Sequence, residues 1–529
     1  MHPLCTRPAH ELSRLLAAGE VSSEEVTTAH LDHIAEADGP IRAFTVVLRH
    51  EALAAARRSD EERRRGEVRG PLHGLPVSVK ESLDFAGQAS TLGTTRRQNI
   101  LATEDAGITE TLRGAGAVIL GRTNVAQILM FHESRNPVYG QTANPWSLEH
   151  TPGGSSGGEA AAIAAGMSPL GVGTDIGGSI RVPAHFAGIA GLKPTLDRWT
   201  NKGSNSALVG QEVIRSQLGP MARTSRDIAL AMSALDPRTM SALDPRVPPL
   251  HPCNAAGVDV GHLRVGFYVD DGVVKPSAAI ARGVQEAAEA LRSRGATVVE
   301  FTPPGMPEAI FDYLGAMTAD GAVTGLSWIA GDPIDPTLFS MKLLTHVPAA
   351  VRRGAARVAR LAGEEKLARF LEVVGEKTVA ELWALTARLR RVRADILARM
   401  AAEQIDVILG PVHATPALPH GGSRDFVLAG SPSMLWNLTQ FPAGVVPVTR
   451  VRATETRRDR PRDRLEKMAA AVDARSVGLP VCVQVVGRPW EEDTVLAAMI
   501  AIEEVASAAP DFPRTPVTLG EAPRPPGGA

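Results

Sequence analysis

An α/β architecture follows from three features of this chain: helical periodicity through its N-terminal part, short apolar runs of strand length beyond it, and a composition suited to one large core. From Glu11 to Gly66 the apolar residues Leu12, Leu15 and Leu16, then Val26, Leu31 and Ile34, recur at helical spacing. Between the two sets, Ser22-Ser23-Glu24-Glu25 is a helix start signal. Pro71 to Val79 reads as a turn leading into a short strand, and Val118-Ile119-Leu120 as another. Gly153 to Lys193 is dense in Gly, Ser and Ala with few charges, and mixed helices and short apolar strands continue to about Val505. From Pro510 onward the chain is rich in Pro and Gly and is expected to form a loose tail.

The 529 residues could hold about three or four average domains, but large α/β enzymes often exceed that prior as one. Apolar residues make up 44% of the chain and aromatic ones only 4%, so the core must be built from Ala, Val, Leu and Ile. With 56 basic and 58 acidic residues the net charge is -2, which gives no global electrostatic case for binding nucleic acid. Cys5, Cys253 and Cys482 are scattered, lack metal-ligand spacing and fit a reducing compartment better than a disulfide framework. Met1 to Glu20 has no signal pattern, and no uninterrupted run of 18 apolar residues occurs, so a soluble, cytoplasmic protein is expected.

Three local features carry bland readings. The heptad MSALDPR occurs at Met232–Arg238 and again at Met240–Arg246, which reads as a duplication within a surface loop. Ala453 to Arg475 is charged with an Arg/Asp cluster, and reads as a solvated loop. His30 and His33 lie one helical turn apart without a third ligand, so they read as surface histidines; no metal and no other cofactor is expected.

The chemistry concentrates in the Gly/Ser stretch. Gly153-Gly154-Ser155-Ser156-Gly157-Gly158-Glu159 runs into the helix-forming segment Ala160–Ala165. A flexible linker would not be embedded between helix and strand signals. A phosphate loop would need a Gly-Lys-Ser/Thr ending, and a nucleophile elbow would need a strand where Ser147 to Pro152 is polar and broken by proline. Downstream, the strand-like Leu170-Gly171-Val172-Gly173-Thr174 leads into Asp175-Ile176-Gly177-Gly178-Ser179-Ile180-Arg181, with Pro183 positioned to start a helix. A serine on a strand-to-helix turn after two glycines suits a nucleophile, because the preceding backbone N–H groups can converge on an oxyanion. None of the fourteen histidines sits in a triad motif, and His185 in its apolar stretch reads as a packed one. A desolvated lysine can act as base instead. Lys80 ends the apolar stretch Gly74–Val79, at a strand end and away from a solvated helix face.

Taken together these blocks resemble the amidase signature family. The pattern runs Gly74-Leu75-Pro76-Val77-x-Val79-Lys80, Thr151-Pro152-Gly153-Gly154-Ser155-Ser156-Gly157-Gly158, Gly173-Thr174-Asp175-Ile176-Gly177-Gly178-Ser179-Ile180-Arg181 and Gly188-x-x-Gly191-Leu192-Lys193-Pro194-Thr195, with Ser155 and Ser179 at the family spacing of 24. The resemblance implies a large twisted mixed sheet sandwiched by helices, with 1–70 as a helical segment packed on the core, 71–505 as the signature domain and 506–529 as the tail. It implies Ser179 as nucleophile, Lys80 as general base and Ser155 as the bridge between them. The N–H groups of Ile176, Gly177, Gly178 and Ser179 would form the oxyanion hole, and Thr174, Asp175 and Arg181 would brace the loop.

Further segments, among them Asn124-Val125-x-Gln127, Asn136-Pro137-x-x-Gly140-Gln141-Thr142-x-Asn144-Pro145-Trp146 and Leu243-Asp244-Pro245-x-Val247-Pro248-Pro249-Leu250, resemble the fatty acid amide hydrolase subgroup. That resemblance implies a small-molecule substrate with a long-chain or aromatic acyl group. Its channel would draw on Leu129, Met130, Phe131, Trp436 and Trp490, each of which could equally be core packing. It also implies a helical cap at 335–370. On a helix from Val347, the residues Val347, Val351, Ala355, Val358 and Ala362 share one face and Arg352, Arg353, Arg357 and Arg360 the other. Such a helix either lies weakly on an anionic membrane or packs its Ala/Val face on the core. A second copy of the chain is a further expected partner. The alternatives are a glutaminase subunit of a tRNA-dependent amidotransferase and a catalytically inactive binding protein.

Overall fold

The computed structural model describes residues 1–339, 341–342 and 347–519. Thirteen strands are formed: β1 (Phe44–Val47), β2 (Pro76–Lys80), β3 (Val118–Thr123), β4 (Arg135–Asn136), β5 (Gly140–Gln141), β6 (Leu170–Asp175), β7 (Ala190–Lys193), β8 (Gln217–Ala222), β9 (Arg264–Phe267), β10 (Thr297–Glu300), β11 (Val407–Pro411), β12 (Ala443–Arg450) and β13 (Pro480–Gly487). Eleven make one sheet in the order β1-β3-β2-β6-β8-β7-β12-β13-β11-β9-β10, while β4 and β5 form a small ribbon. The sheet is mixed: β2 runs parallel to β3 and β6, and the central β6-β8-β7-β12-β13-β11 run is antiparallel.

Alternation along the strands builds two cores, one on each face. On β11, Ile408 joins one cluster and its neighbours Val407 and Leu409 join the other; on β13, Val486 and Val485 divide the same way. Both faces are covered by helices, so β13 is buried at all eight positions and reads as a continuous apolar run. The N-terminal helices form as expected, and the start signal is a capping box: Ser22 Oγ accepts from Glu25 N–H at 3.1 Å while Ser22 N–H donates to the Glu25 carboxylate at 2.8 Å.

Several bland readings are corrected. His30 and His33 are buried, and each ring rests on a backbone carbonyl, of Val26 and of Ala165 respectively. The MSALDPR copies are not a surface loop. Met232, Leu235 and Met240 are core residues, because each copy ends a helix and Asp236 caps the next one, Pro237–Leu243. The charged stretch from Ala453 contains the helix Arg464–Asp473, whose Leu465, Met468, Ala469 and Val472 pack at helical spacing against the core. In the tail, Val517 is buried and donates its N–H to Ala164 C=O at 2.8 Å, whereas residues 520–529 lie outside the described residues.

The cap consists of the short turn Pro336–Leu338 and the helices Ala349–Leu361 and Glu365–Val373, with residues 340 and 343–346 of the expected segment outside the description. Val351, Ala355, Val358 and Ala362 do not pack inward. Ala356 and Ala359 do, against Ala368 and Leu371 of the next helix, and Arg352 turns back to Val347 C=O. Among the described residues no helix is long and apolar enough to cross a membrane.

Candidate active site

Because β2 and β6 are parallel neighbours, their last residues meet at the carboxyl edge of the sheet, where α/β proteins bind ligands. Lys80 closes β2 and Thr174 sits near the end of β6; Lys80 Nζ lies 2.7 Å from Thr174 Oγ1 and 2.8 Å from Ser155 Oγ. Ser155 reaches this point from the Gly-rich turn before the helix Gly157–Ala164, a turn that must press against other backbone. A Cβ on Gly154 would sit 2.5 Å from Glu133 N, so no larger residue fits. Lys80 is wholly buried. Burial pushes its amine down from 10.5 to about 7, against the opposing pull of the Asp175, Glu159 and Glu81 carboxylates. Glu159 is buried too, holding Ser78 Oγ at 2.6 Å and Thr123 Oγ1 at 2.8 Å, and burial raises its carboxyl to about 7.

The turn Asp175–Arg181 follows β6 directly. Burial alone would raise the Asp175 carboxyl, but the Arg181 guanidinium holds it well below the usual range with two contacts of 3.0 Å. Arg181 is itself gripped by Ser433 C=O, Asn437 Oδ1 and Gln484 Oε1. Asp175 and Arg181 are thus a buried ion pair within the turn.

The backbone carbonyls from Asp175 to Gly178 each have a donor. Asp175 C=O accepts from Asn437 Nδ2 at 3.1 Å, Ile176 C=O from Tyr313 Oη at 3.0 Å, Gly177 C=O from His132 Nε2 at 3.1 Å, and Gly178 C=O from Val182 N–H at 2.7 Å. The N–H groups are treated differently. Of the four expected to face an oxyanion, Gly178 N–H donates to Asp175 Oδ1 at 2.8 Å. Those of Ile176, Gly177 and Ser179 have no partner among the described residues. A turn with its acceptors satisfied and three donors left over is an anion-binding concavity. Ser179 Oγ is likewise unpartnered; no hydrogen bond joins it to Ser155 Oγ, and the two segments touch through Ser156 N–H and Ser179 C=O at 3.2 Å.

Ile176, Gly177 and Ser179 line a cavity of about 490 Å³, a volume in the range of small-molecule sites. Its walls are mostly apolar and include Leu129, Met130, Phe131, Leu314, Met317 and Met434. The roof joins the cap helix, through Leu367 and Phe370, to the helix Arg464–Asp473, through Leu465 and Met468. Lys366 ties the two helices, 2.6 Å from Asp463 and 3.0 Å from Glu466. Trp436 and Trp490 do not contribute. Trp436 is fully buried and stacks on Phe441, and Trp490 is a surface residue whose backbone N–H reaches Thr195. Sequence reasoning missed Tyr313, His132 and Asn437, since each reaches the turn from a distant segment with no motif around it. Gln484 likewise reaches Arg181 from far along the chain, from β13.

A family model described as Amidase matches residues 25–496. Fatty-acid amide hydrolase 1 of Sus scrofa is 35% identical over 508 residues, which cover 95% of this chain and 86% of that protein. A glutamyl-tRNA(Gln) amidotransferase subunit of Roseiflexus castenholzii (strain DSM 13941 / HLO8) is 33% identical over 522 residues, 96% of this chain and 97% of that one. Among solved structures, one described as fatty acid amide hydrolase matches with a TM-score of 0.83 at 29% identity, over 96% of this chain and 87% of that one.

Proposed function

This chain belongs to the amidase signature family and is an amide hydrolase; on that premise we propose that it cleaves long-chain or aromatic N-acyl amides through an acyl-enzyme on Ser179. The observation that carries the reading is a buried lysine amine, brought to about 7, in hydrogen-bond reach of Ser155, whose neighbour Ser156 bonds the backbone of the unpartnered Ser179 in a donor-rich loop. Neutral Lys80 takes the Ser155 hydroxyl proton as Ser155 takes that of Ser179, and Ser179 Oγ bonds to the substrate carbonyl carbon. The oxyanion is held by the N–H groups of Ile176, Gly177 and Ser179, with Thr174, Asp175 and Arg181 fixing the geometry around them. An amine leaves poorly unless protonated. The proton on Lys80 returns through Ser155 to the nitrogen, the C–N bond breaks, and water then releases the acid by the same relay. The apolar walls of the cavity, Leu129 and Met130 among them, support an apolar acyl group.

Ser179→Ala is expected to abolish turnover and labelling by a fluorophosphonate while wild type is labelled; a variant keeping more than about a thousandth of the rate would remove Ser179 as nucleophile. On a panel of N-acyl ethanolamines, primary amides and anilides, kcat/KM is expected to grow with acyl length, by up to about 0.8 kcal/mol per buried CH₂. A flat dependence would reject the long-chain reading. The same relay would serve in a tRNA-dependent amidotransferase, the enzyme in whose name the Roseiflexus relative appears. Turnover of simple acyl amides by the purified chain alone separates the two. A weak peripheral membrane contact through the cap belongs to the same reading, supported by the outward apolar residues of the helix Ala349–Leu361.

A further inference from the structure

The unpaired N–H groups of the Ser179 turn point where they do only because the carbonyls on the same peptides point elsewhere. In a trans peptide the C=O of one residue and the N–H of the next face opposite ways. Two of the four carbonyls are held from outside the cavity wall: Gly178 C=O by the first turn of the following helix, and Asp175 C=O by Asn437 of the buried helix Ser431–Leu438. The other two are held by side chains that line the substrate cavity, Tyr313 from the helix Met306–Met317 and His132 from the loop after Phe131.

We infer that Tyr313 and His132 are positioning residues that hold the Ser179 turn from the cavity side: Tyr313 fixes the 176–177 peptide and so aims the oxyanion-binding Gly177 N–H, and His132 fixes the 177–178 peptide, whose N–H locks the turn onto Asp175. The inference rests on the Ser179 reading given above. Tyr313 O–H on Ile176 C=O turns the Gly177 N–H the opposite way, and that N–H has no partner among the described residues. A carbonyl can only accept, so His132 carries its proton on Nε2. Its bond to Gly177 C=O turns the Gly178 N–H onto Asp175 Oδ1, which closes the turn around the carboxylate.

Both side chains are given room at the expense of neighbouring side chains. A Cβ at Gly177 would lie 2.5 Å from Tyr313 Oη, and one at Gly430 would lie 2.6 Å from His132 Cε1. The imidazole is further set edge-on to His413, with ring centroids 6.0 Å apart. An apolar wall would need neither a phenol hydroxyl nor an imidazole here. Phe in either place would line the cavity as well and leave a carbonyl unheld and free to rotate.

The test compares Tyr313→Phe, His132→Phe and His132→Gln, the last keeping a donor near the Nε2 position. A donor that touches the oxyanion directly is worth about 10²–10³ in kcat, and these act one peptide away, so about a tenfold fall in kcat is expected for each Phe variant with KM nearly unchanged. Two inhibitors with the same acyl chain supply the second readout. A trifluoromethyl ketone becomes an oxyanion-bearing hemiketal on Ser179, and the corresponding alcohol cannot. The Ki of the ketone is expected to rise in step with the loss of kcat, the Ki of the alcohol to stay put, and His132→Gln to recover most of both. Equal weakening of both inhibitors, a change in KM alone, or wild-type behaviour of the Phe variants overturns the inference and leaves Tyr313 and His132 as walls. Ser179→Ala is run beside them. If it still hydrolyses substrate, the Ser179 reading fails, whatever the Phe variants do.

Discussion

On the proposed Ser-Ser-Lys relay, a lysine whose amine loses its proton near neutrality would make amide hydrolysis itself a titration. Only the neutral amine can accept the Ser155 proton, and burial brings the Lys80 amine from 10.5 down to about 7. kcat/KM is therefore expected to rise with pH and level off above about 7, and Lys80→Ala to lose about 10²–10⁴ in rate together with that rising limb. Glu159 supplies a finer check. Its carboxylate raises the proton affinity of Lys80, and is opposed by the burial that lifts its own carboxyl to about 7. The same pair of groups titrates together, so Glu159→Gln removes a negative charge whose effect falls on the lysine. The rising limb is expected to move to lower pH, giving the variant relatively more activity under mildly acidic conditions. A limb that stays in place would separate Glu159 from the proton path.

At the scale of elements, what could be read ahead was what neighbours in sequence determine. Lys80 at a strand end, Ser155 in a glycine turn and Ser179 on a strand-to-helix turn all depend on local pattern, and β2, β3 and β6 form where the apolar runs lie. The groups that complete the site come from far along the chain: Tyr313 is 137 residues from Ile176, and Asn437 is 256 from Arg181. Nothing in their own segments marks them, because a helix residue that donates into a turn has the same local pattern as one that packs. The Arg464–Asp473 helix was hidden for another reason. Its flanking charges suggested solvent, yet they are paired: Lys366 spans the roof between Asp463 and Glu466, whose side chains are 9% and 0% exposed. Removing that cation leaves Asp463 without an ion-pair partner among the described residues and Glu466 with Arg462 alone, 3.5 Å away. Lys366→Met is expected to cost about 1–3 kcal/mol of unfolding free energy and to raise KM for long-chain substrates more than for short ones. Urea unfolding and KM across chain lengths measure both, and an unaltered KM series would mean that the roof stays closed without the tie.

For the whole molecule, the question is where an apolar substrate is collected. The cap helix Ala349–Leu361 turns Ala356 and Ala359 inward and leaves Val351, Val358 and Leu361 58%, 67% and 90% exposed. Single exposed apolar residues are ordinary, but these share one helix side next to the cavity roof, where Leu367 is 47% exposed as well. The charges on that helix are not equivalent. Arg360 is committed to Glu365 and Glu372, and Arg352 to Val347 C=O, whereas Arg353 and Arg357 have no partner among the described residues. A surface with three apolar anchors and two free cations should bind anionic bilayers weakly and reversibly. Each free arginine contributes about 1 kcal/mol near the surface, an amount that salt removes. In vesicle co-sedimentation, wild type is expected to bind anionic vesicles more than neutral ones, and less as salt rises. Arg353→Glu/Arg357→Glu should lose the preference for anionic lipid. Val351→Asn/Val358→Asn/Leu361→Asn should lose binding to both, and both variants should keep wild-type turnover of a short, water-soluble amide. Because the apolar and the charged terms are additive contributions to one weak equilibrium, neither set of changes alone can leave binding intact. If wild type and both variants sediment equally little, the cap serves only as a roof and the enzyme draws its substrate from water.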